Sequence, residues 1–292
     1  MSELIQSLST NSATKQDSTV NSSEAYSRSR YLMDDPREAK RLDAKVNPDE
    51  FISTFLSPVL TEGAQTIADL GCGAGAIISA LAAKFPEKQF FGVDVSAARL
   101  EQAQLKCFTE EGNALTNISF REGSIYEIPL ASDSVDVVYT RFLLEYLKEP
   151  VAAIRELKRI IRPGGKVVLQ DLDGQLLFQY PFSVPEMEQV FDYLNKKTGF
   201  DPYIGRKLFA YSRQAELVLD KMDVRAYHLF PGKIDDYNRW LWEMKFDIFM
   251  PQAAEALGSE EAAQQLKTKY MAFLDDPDTL LYSSLFTLYL TK

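Results

Sequence analysis

The 292-residue chain reads as an α/β protein: a doubly wound, mostly parallel seven-stranded sheet with a C-terminal helical lid insertion. Three observations predict this. Short apolar runs alternate with amphipathic stretches from residue 66 onward. The apolar runs are near-continuous, as strands covered on both faces require, and a glycine-rich turn separates the first strand from the helix after it. Right-handed crossovers then leave a doubly wound sheet as the natural outcome.

Thr66-Ile67-Ala68-Asp69-Leu70 is the first strand, and Ala76 to Phe85 the helix behind the glycines, stopped by Pro86. Gln89 to Val95 is the second strand. Ser96 caps a helix over 97–111, ending near Gly112. Asn117 to Arg121 and Val135 to Thr140 are strands three and four. Val151, Ile154, Leu157 and Ile161 repeat at helical spacing until Pro163-Gly164-Gly165, and Lys166 to Leu172 is strand five. Further on, Ser183 with Glu186 forms a capping-box start. Val184, Met187, Phe191 and Leu194 make one helical stripe; Leu208, Tyr211, Ala215, Val218 and Met222 make another. Val224 to Phe230 is a strand, 234–250 and 259–274 are helices, and Leu280 to Leu290 is the last strand. The domain therefore spans 26–292, with helical elaborations at about 183–222 and 234–275.

Composition narrows the function classes. Lys and Arg number 32 against 42 Asp and Glu, a net charge of −10 that argues against nucleic-acid binding and a polybasic membrane role. Two cysteines, Cys72 and Cys107, make no disulfide framework, and one histidine, His228, excludes triads or metal sites that need several. No run approaches the roughly 18 apolar residues of a membrane span, and the N-terminus lacks a signal-peptide pattern, so a cytoplasmic location is expected. Twelve of the first 30 residues are Ser or Thr; such a segment buries too little apolar surface to order itself, and disorder is expected over 1–25.

The informative segment is Asp69-Leu70-Gly71-Cys72-Gly73-Ala74-Gly75-Ala76. Glycines at alternate positions between strand and helix let the backbone turn tightly and approach a ligand. Gly71, Gly73 and Ala76 also satisfy the dinucleotide pattern, and Asp94 at the next strand end suits either reading, because a carboxylate there accepts hydrogen bonds from ribose hydroxyls. Further along lie VDVS (93–96), EGSIYEIPL (122–130), SVDVVYTRFLLEYL (134–147) and IRPGGKVVL (161–169). Together with IADLGCGAG these five segments resemble, in order and spacing, the motifs of class I S-adenosylmethionine-dependent methyltransferases, whose fold is Rossmann-like.

The resemblance implies roles. Gly71, Gly73 and Gly75 would admit the methionine part of S-adenosylmethionine, with Asp69 near its ammonium. Asp94 would bind both ribose hydroxyls, Val95 would lie against the adenine, and Ser124 and Ile125 would meet its edge. Ser124 departs from the Asp common among relatives, which weakens one contact, though a hydroxyl still accepts one hydrogen bond. Arg141 would border the reactive end of the cofactor. The segment from Tyr31 to Leu42 is similar to a cofactor-covering N-terminal helix, in which Tyr31 and Arg41 would either touch the carboxylate of the cofactor or be simple surface residues.

Methyl transfer from a sulfonium needs alignment and exclusion of water more than metal chemistry. His228 and Glu145 are the candidate catalytic residues. His228 is a general base, since imidazole titrates near neutrality, or else a hydrogen-bonded structural histidine of its strand. Glu145, after strand four, is a substrate contact or a helix-dipole or solvated carboxylate. Asp171 and Asp173, at the end of strand five, are substrate contacts or solvated carboxylates, without the full set for a metal. The segment 234–250 holds Tyr237, Trp240, Trp242, Phe246 and Phe249. It is either a buried helix or a lid lining an apolar pocket. The expected substrate is thus a hydrophobic or aromatic small molecule, methylated on O or N and less readily on C, as in specialised-metabolite synthesis. The competing readings are a protein or peptide methyltransferase, an NAD(P)-dependent oxidoreductase and a non-catalytic member of the fold.

Overall fold

Five strands with little polar content build the half of the sheet that carries the glycine turn: β1 (Thr66–Leu70), β2 (Gln89–Asp94), β3 (Ile118–Glu122), β4 (Val135–Arg141) and β5 (Ile161–Tyr180). Two further strands, β6 (Val218–Pro231) and β7 (Leu280–Thr291), complete it in a computed structural model that describes residues 35–108 and 112–292. The sheet order is β3-β2-β1-β4-β5-β7-β6. The first four pairings are parallel, and β7 runs antiparallel to both its neighbours. This is the mixed, mostly parallel seven-stranded sheet that the sequence predicts. The expected tail over 1–25 and Tyr31 lie outside the described residues.

The helices are α1 (Pro36–Lys45), α2 (Pro48–Phe51, continued by a π-helical turn Ile52–Leu56), α3 (Ala76–Lys84), α4 (Ala97–Gln104) and α5 (Pro150–Ile160). Then come α6 (Pro185–Thr198), α7 (Leu208–Gln214), α8 (Asp236–Leu257) and α9 (Glu260–Asp275). Phe51, Leu56, Ile78 and Leu81 cover one sheet face, over Ile67, Phe90, Tyr139 and Val168. Ile154, Leu157 and Leu208 cover the other, over Leu70, Val93, Val138 and Leu169. Each such side chain, fully buried, contributes about 1.5–3 kcal/mol, which is why both strand faces must be apolar.

A third core joins α6, α8 and α9 through Met187, Phe191, Trp242, Phe246, Tyr270 and Phe273. Most of the aromatic stripe of α8 is spent here: Leu241, Trp242, Phe246, Ile248 and Phe249 are buried, while Tyr237 remains exposed. Helix α1 packs on α8, and the Tyr237 hydroxyl donates to the Ala44 carbonyl.

Several boundaries differ from expectation. The capping box at Ser183 does not form. Val184 caps α6 without a side-chain bond, Pro185 supplies the first turn, and Glu186 pairs instead with Lys269 on α9 at 3.0 Å. The stripe from Leu208 to Met222 is not one helix. Backbone at positive φ in Glu216 ends it, and β6 begins at Val218, six residues before the expected Val224. Val218 and Met222 face solvent on this edge strand, so their spacing imitates a helical face that does not exist. Helix α4 stops at Gln104, seven residues early, because Leu105 finds no core and the chain bridges back from Phe108 to Ala114. Conversely α8 runs through Pro251 to Leu257, where Ala253 is buried against the helical core. Packing offsets the hydrogen bond that proline removes.

Gly75 closes the turn at φ +74°, where an added Cβ would stand 2.7 Å from the Ala103 Cβ. Gly75→Ala should therefore lower unfolding free energy by about 2 kcal/mol, from left-handed strain and overpacking together; urea denaturation at constant m measures it.

Candidate active site

The turn after β1 is stitched to β2. The amides of Gly71 and Cys72 donate to the Val93 carbonyl at 2.8 and 3.1 Å, and the Gly73 amide donates to Asp94 Oδ2 at 2.8 Å. The Ser96 amide holds Asp94 Oδ1 at 2.9 Å. Each carboxylate oxygen keeps a free lone pair on its outer side. Beyond this clamp the backbone opens: a Cβ on Gly73 would meet nothing within 4 Å, whereas one on Gly71 would touch Leu143 at 3.0 Å. Val95, just past Asp94, is 61% exposed despite being apolar. A cradle that a side chain would fill, a pinned acid and a bare valine in one row fit the adenosyl and methionine parts of the family cofactor.

Asp69, at the end of β1, is buried and accepts a 2.8 Å bond from the Tyr139 hydroxyl on β4. Burial pushes its carboxyl up to about 7, against the opposing hydrogen bond. On the far side of the turn, Ser124 Oγ accepts from the Tyr126 amide at 3.2 Å, and half-buried Ile125 packs on the core below.

A second group gathers around the end of β4. Arg141 Nε donates to Gln170 Oε1 at 3.1 Å, its Nη2 lies 3.5 Å from the Tyr227 hydroxyl, and its guanidinium stacks 4.1 Å from the Phe142 ring. Phe142 itself holds the left-handed conformation at φ +54°. From β6, His228 adopts φ +49° at an irregularity in the β6–β7 register. Its Nε2 is 2.6 Å from Lys45 Nζ on α1, and its Nδ1 is 3.5 Å from Ser283 Oγ. Burial first, then the nearby Lys45 and Lys245, hold the imidazole well below its ordinary range. The ring is neutral at physiological pH, and its Nε2 lone pair faces an amine. Arg41 is buried and bound in bidentate fashion by Glu38, both contacts at 2.7 Å.

Glu145 is 1% exposed, and its Oε2 has no hydrogen-bond partner. Burial raises its pKa, against Lys245 and Lys45 nearby. Asp171 beneath it is raised as well, by burial and by Glu145, and accepts the Glu145 amide at 3.2 Å. Asp173 is held by Arg206 through its backbone amide and guanidinium at 2.6–2.9 Å. Asp171 therefore anchors the turn after β4 and Asp173 the turn before α7, and neither is a solvated carboxylate.

The structure thus brings Asp69, Gly71, Gly73, Gly75, Asp94 and Val95 into one row. It sets Glu145, His228, Arg41 and Arg141 around a second, and Tyr31 lies outside the described residues. Sequence reasoning missed Tyr139, Tyr227, Lys45 and Lys245. Lys245 carried a signal: a lysine between Trp242 and Phe246 in an apolar helix needs a reason to be there.

Because the folded protein favours protonated Asp69, the stability this contributes is full below the ordinary carboxyl value of 3.8 and lost as pH rises through about 7. Asp69→Asn keeps the Tyr139 bond but cannot ionise. Its Tm should fall less than that of the wild type between pH 4.5 and 7.5, by scanning calorimetry without ligand.

Comparison with known proteins gives a consistent picture. Residues 68–169 match the family described as methyltransferase domain. The chain is 33% identical over 186 residues to an uncharacterized methyltransferase of Schizosaccharomyces pombe, covering 61% of this chain and 65% of that one. It is 27% identical over 167 residues to the ubiquinone biosynthesis O-methyltransferase of Alkalilimnicola ehrlichii, covering 56% and 65%. The chain spans less than two thirds of the length of either relative. Among solved structures, phospholethanolamine N-methyltransferase 2 of Haemonchus contortus superposes with a TM-score of 0.56 at 15% identity, over 90% of this chain and 60% of that one, a likeness of fold. Motif order and sheet order agree with that match: residues 68–169 are similar to the methyltransferase domain family, and the sheet has the fold of a solved methyltransferase.

Proposed function

We propose that the protein transfers a methyl group from S-adenosylmethionine to an oxygen or nitrogen of a small molecule with an apolar or aromatic body. The observation that carries this reading is the Asp94 carboxylate, pinned by the Gly73 and Ser96 amides beside the open face of Gly73. When bound, the cofactor supplies a methyl group on a sulfonium whose departure leaves a neutral thioether. Asp94 binds ribose hydroxyls through its outer lone pairs. Asp69 balances the methionine ammonium, and Val95 and Ile125 flank the adenine. Phe142, Tyr227 and Trp242 offer aromatic walls to the acceptor, and α1 and α8 exclude water above them.

A hydroxyl acceptor loses its proton as an oxygen lone pair forms the new bond to carbon, whereas an ammonium must lose a proton first to free the nitrogen lone pair that attacks. Glu145 takes that proton in this reading, since its Oε2 is unpartnered while His228 Nε2 is occupied by Lys45. His228 then acts as a positioning residue for Lys45. Two tests follow from the chemistry. Calorimetric titration should show S-adenosylmethionine and S-adenosylhomocysteine binding and NADH not binding; the reverse pattern overturns the assignment. Gly73→Ala should weaken S-adenosylhomocysteine at least about tenfold, or about 1.4 kcal/mol, with an unchanged circular-dichroism spectrum.

Once an acceptor is found by labelled-methyl screening, the pH profile separates the two bases. Glu145 has a raised pKa and must be ionised to act, so kcat should rise with pH toward neutrality. Glu145→Gln should remove that rise and lower kcat about 10²-fold. The lowered pKa of His228 means its base form is already present there, so a flat profile lost in His228→Ala assigns the proton to His228 instead.

A further inference from the structure

Three cations gather beyond the end of β4, and among the described residues two of them, Arg141 and Lys45, are hydrogen-bonded by neutral groups. Arg141 from β4, Lys45 from α1 and Lys245 from α8 come from three separate elements. The neutral groups are an amide and a phenol for Arg141 and an imidazole nitrogen for Lys45. Lys45 also lies 4.9 Å from the Tyr227 ring centre and 6.0 Å from that of Phe142, and Lys245 lies 5.1 Å from that of Trp242. The rings close the circuit: Phe142 and Tyr227 are 5.6 Å apart, Tyr227 and His228 4.4 Å, His228 and Trp242 5.3 Å. Of the carboxylates that face this group, Glu38 is engaged by Arg41, Asp69 by the Tyr139 hydroxyl and Asp171 by the Glu145 amide, while Glu145, near Lys245, leaves one oxygen unpartnered.

Three further points make this an arranged site. Lys45 and His228 place two basic nitrogens 2.6 Å apart, so they share one proton until an anion arrives. Burial and the neighbouring cations hold both lysines well below their ordinary range, a cost that an anionic guest removes. The backbone around Lys45 is strained on both sides, at Phe142 with φ +54° and His228 with φ +49°, and such strain persists where a ligand site is preorganised. The cofactor brings no net negative charge, because its single carboxylate is outnumbered by its own ammonium and sulfonium.

We infer that Lys45, Lys245 and Arg141 form a subsite for a carboxylate or phosphate group on the methyl acceptor, so that the acceptor is an aromatic or apolar acid. The inference rests on the proposed cofactor reading and deepens it. Aromatic rings hold the body of such a molecule, and the three cations its acidic end.

The test uses the full-length protein saturated with S-adenosylhomocysteine, titrated with 3-phenylpropionate, phenyl phosphate and the neutral 3-phenylpropionamide. An acid should bind at least tenfold more tightly than the amide, and whichever acid is preferred distinguishes carboxylate from phosphate. Lys45→Met and Lys245→Met should each erase that preference while S-adenosylhomocysteine affinity stays within twofold; Lys245→Arg should retain it and controls for folding. Equal binding of acid and amide, or binding of neither to the saturated protein, overturns the subsite and leaves the cofactor reading standing. Loss of S-adenosylhomocysteine affinity in the lysine variants assigns the cations to the cofactor and also overturns it. Failure of the wild type to bind S-adenosylhomocysteine at all overturns the cofactor reading itself.

Discussion

The clamp between Asp94 and the turn after β1 is the constraint on which the site depends. A glycine-rich turn free in solution has many conformations, and its loss of entropy on ordering is large. Here three backbone amides are tied to the end of the adjacent strand, two through the Val93 carbonyl and one through the Asp94 carboxylate. The same acid also accepts from the start of α4 through Ser96. One side chain therefore sets the relative positions of β1, β2 and two helix starts, and it does so with lone pairs to spare for a ligand.

The chamber next to that clamp is built from chain segments far apart in sequence. Arg141 and Glu145 follow β4, His228 belongs to β6, Lys245 to α8 and Lys45 to α1. Assembling them requires the helical core of α6, α8 and α9 to hold α8 in place and α1 to pack on it. The cost of burying so many titratable groups is visible in their shifts: the carboxyl of Glu145 rises while the Lys45, Lys245 and His228 bases fall. All four move toward neutrality, as expected where water is scarce.

The first half of the chain was legible from sequence because each element there is short, buried and bounded. β1 spans the expected Thr66–Leu70, and α3 starts at the expected Ala76. The glycines and Asp94 were legible for the same reason, since backbone approach and strand-end acids leave signatures in residue type. The second half was less so. Exposed Val218 and Met222 on an edge strand copy helical spacing, and Pro251 reads as a stop where tertiary packing overrides it. Of the three cations, Lys45 was invisible because nothing local marks it; its contact is with His228, 183 residues away. Glu145 was picked for its place after β4, but its missing partner is a property of the packed interior alone.

The placement of β7 has a consequence for how the molecule is made. Leu280–Thr291 is the last strand in chain order, yet it lies between β5 and β6 and pairs with both along nearly its full length. Until it inserts, those two strands face each other across an empty slot, and the β6 segment bearing His228 has nothing to fix its register. The half of the sheet that carries the glycine turn can assemble during synthesis from β1 to β5, but the group around His228 cannot. The two halves of the sheet thus mature in sequence, and the surroundings of His228 are complete only once β7 is in place.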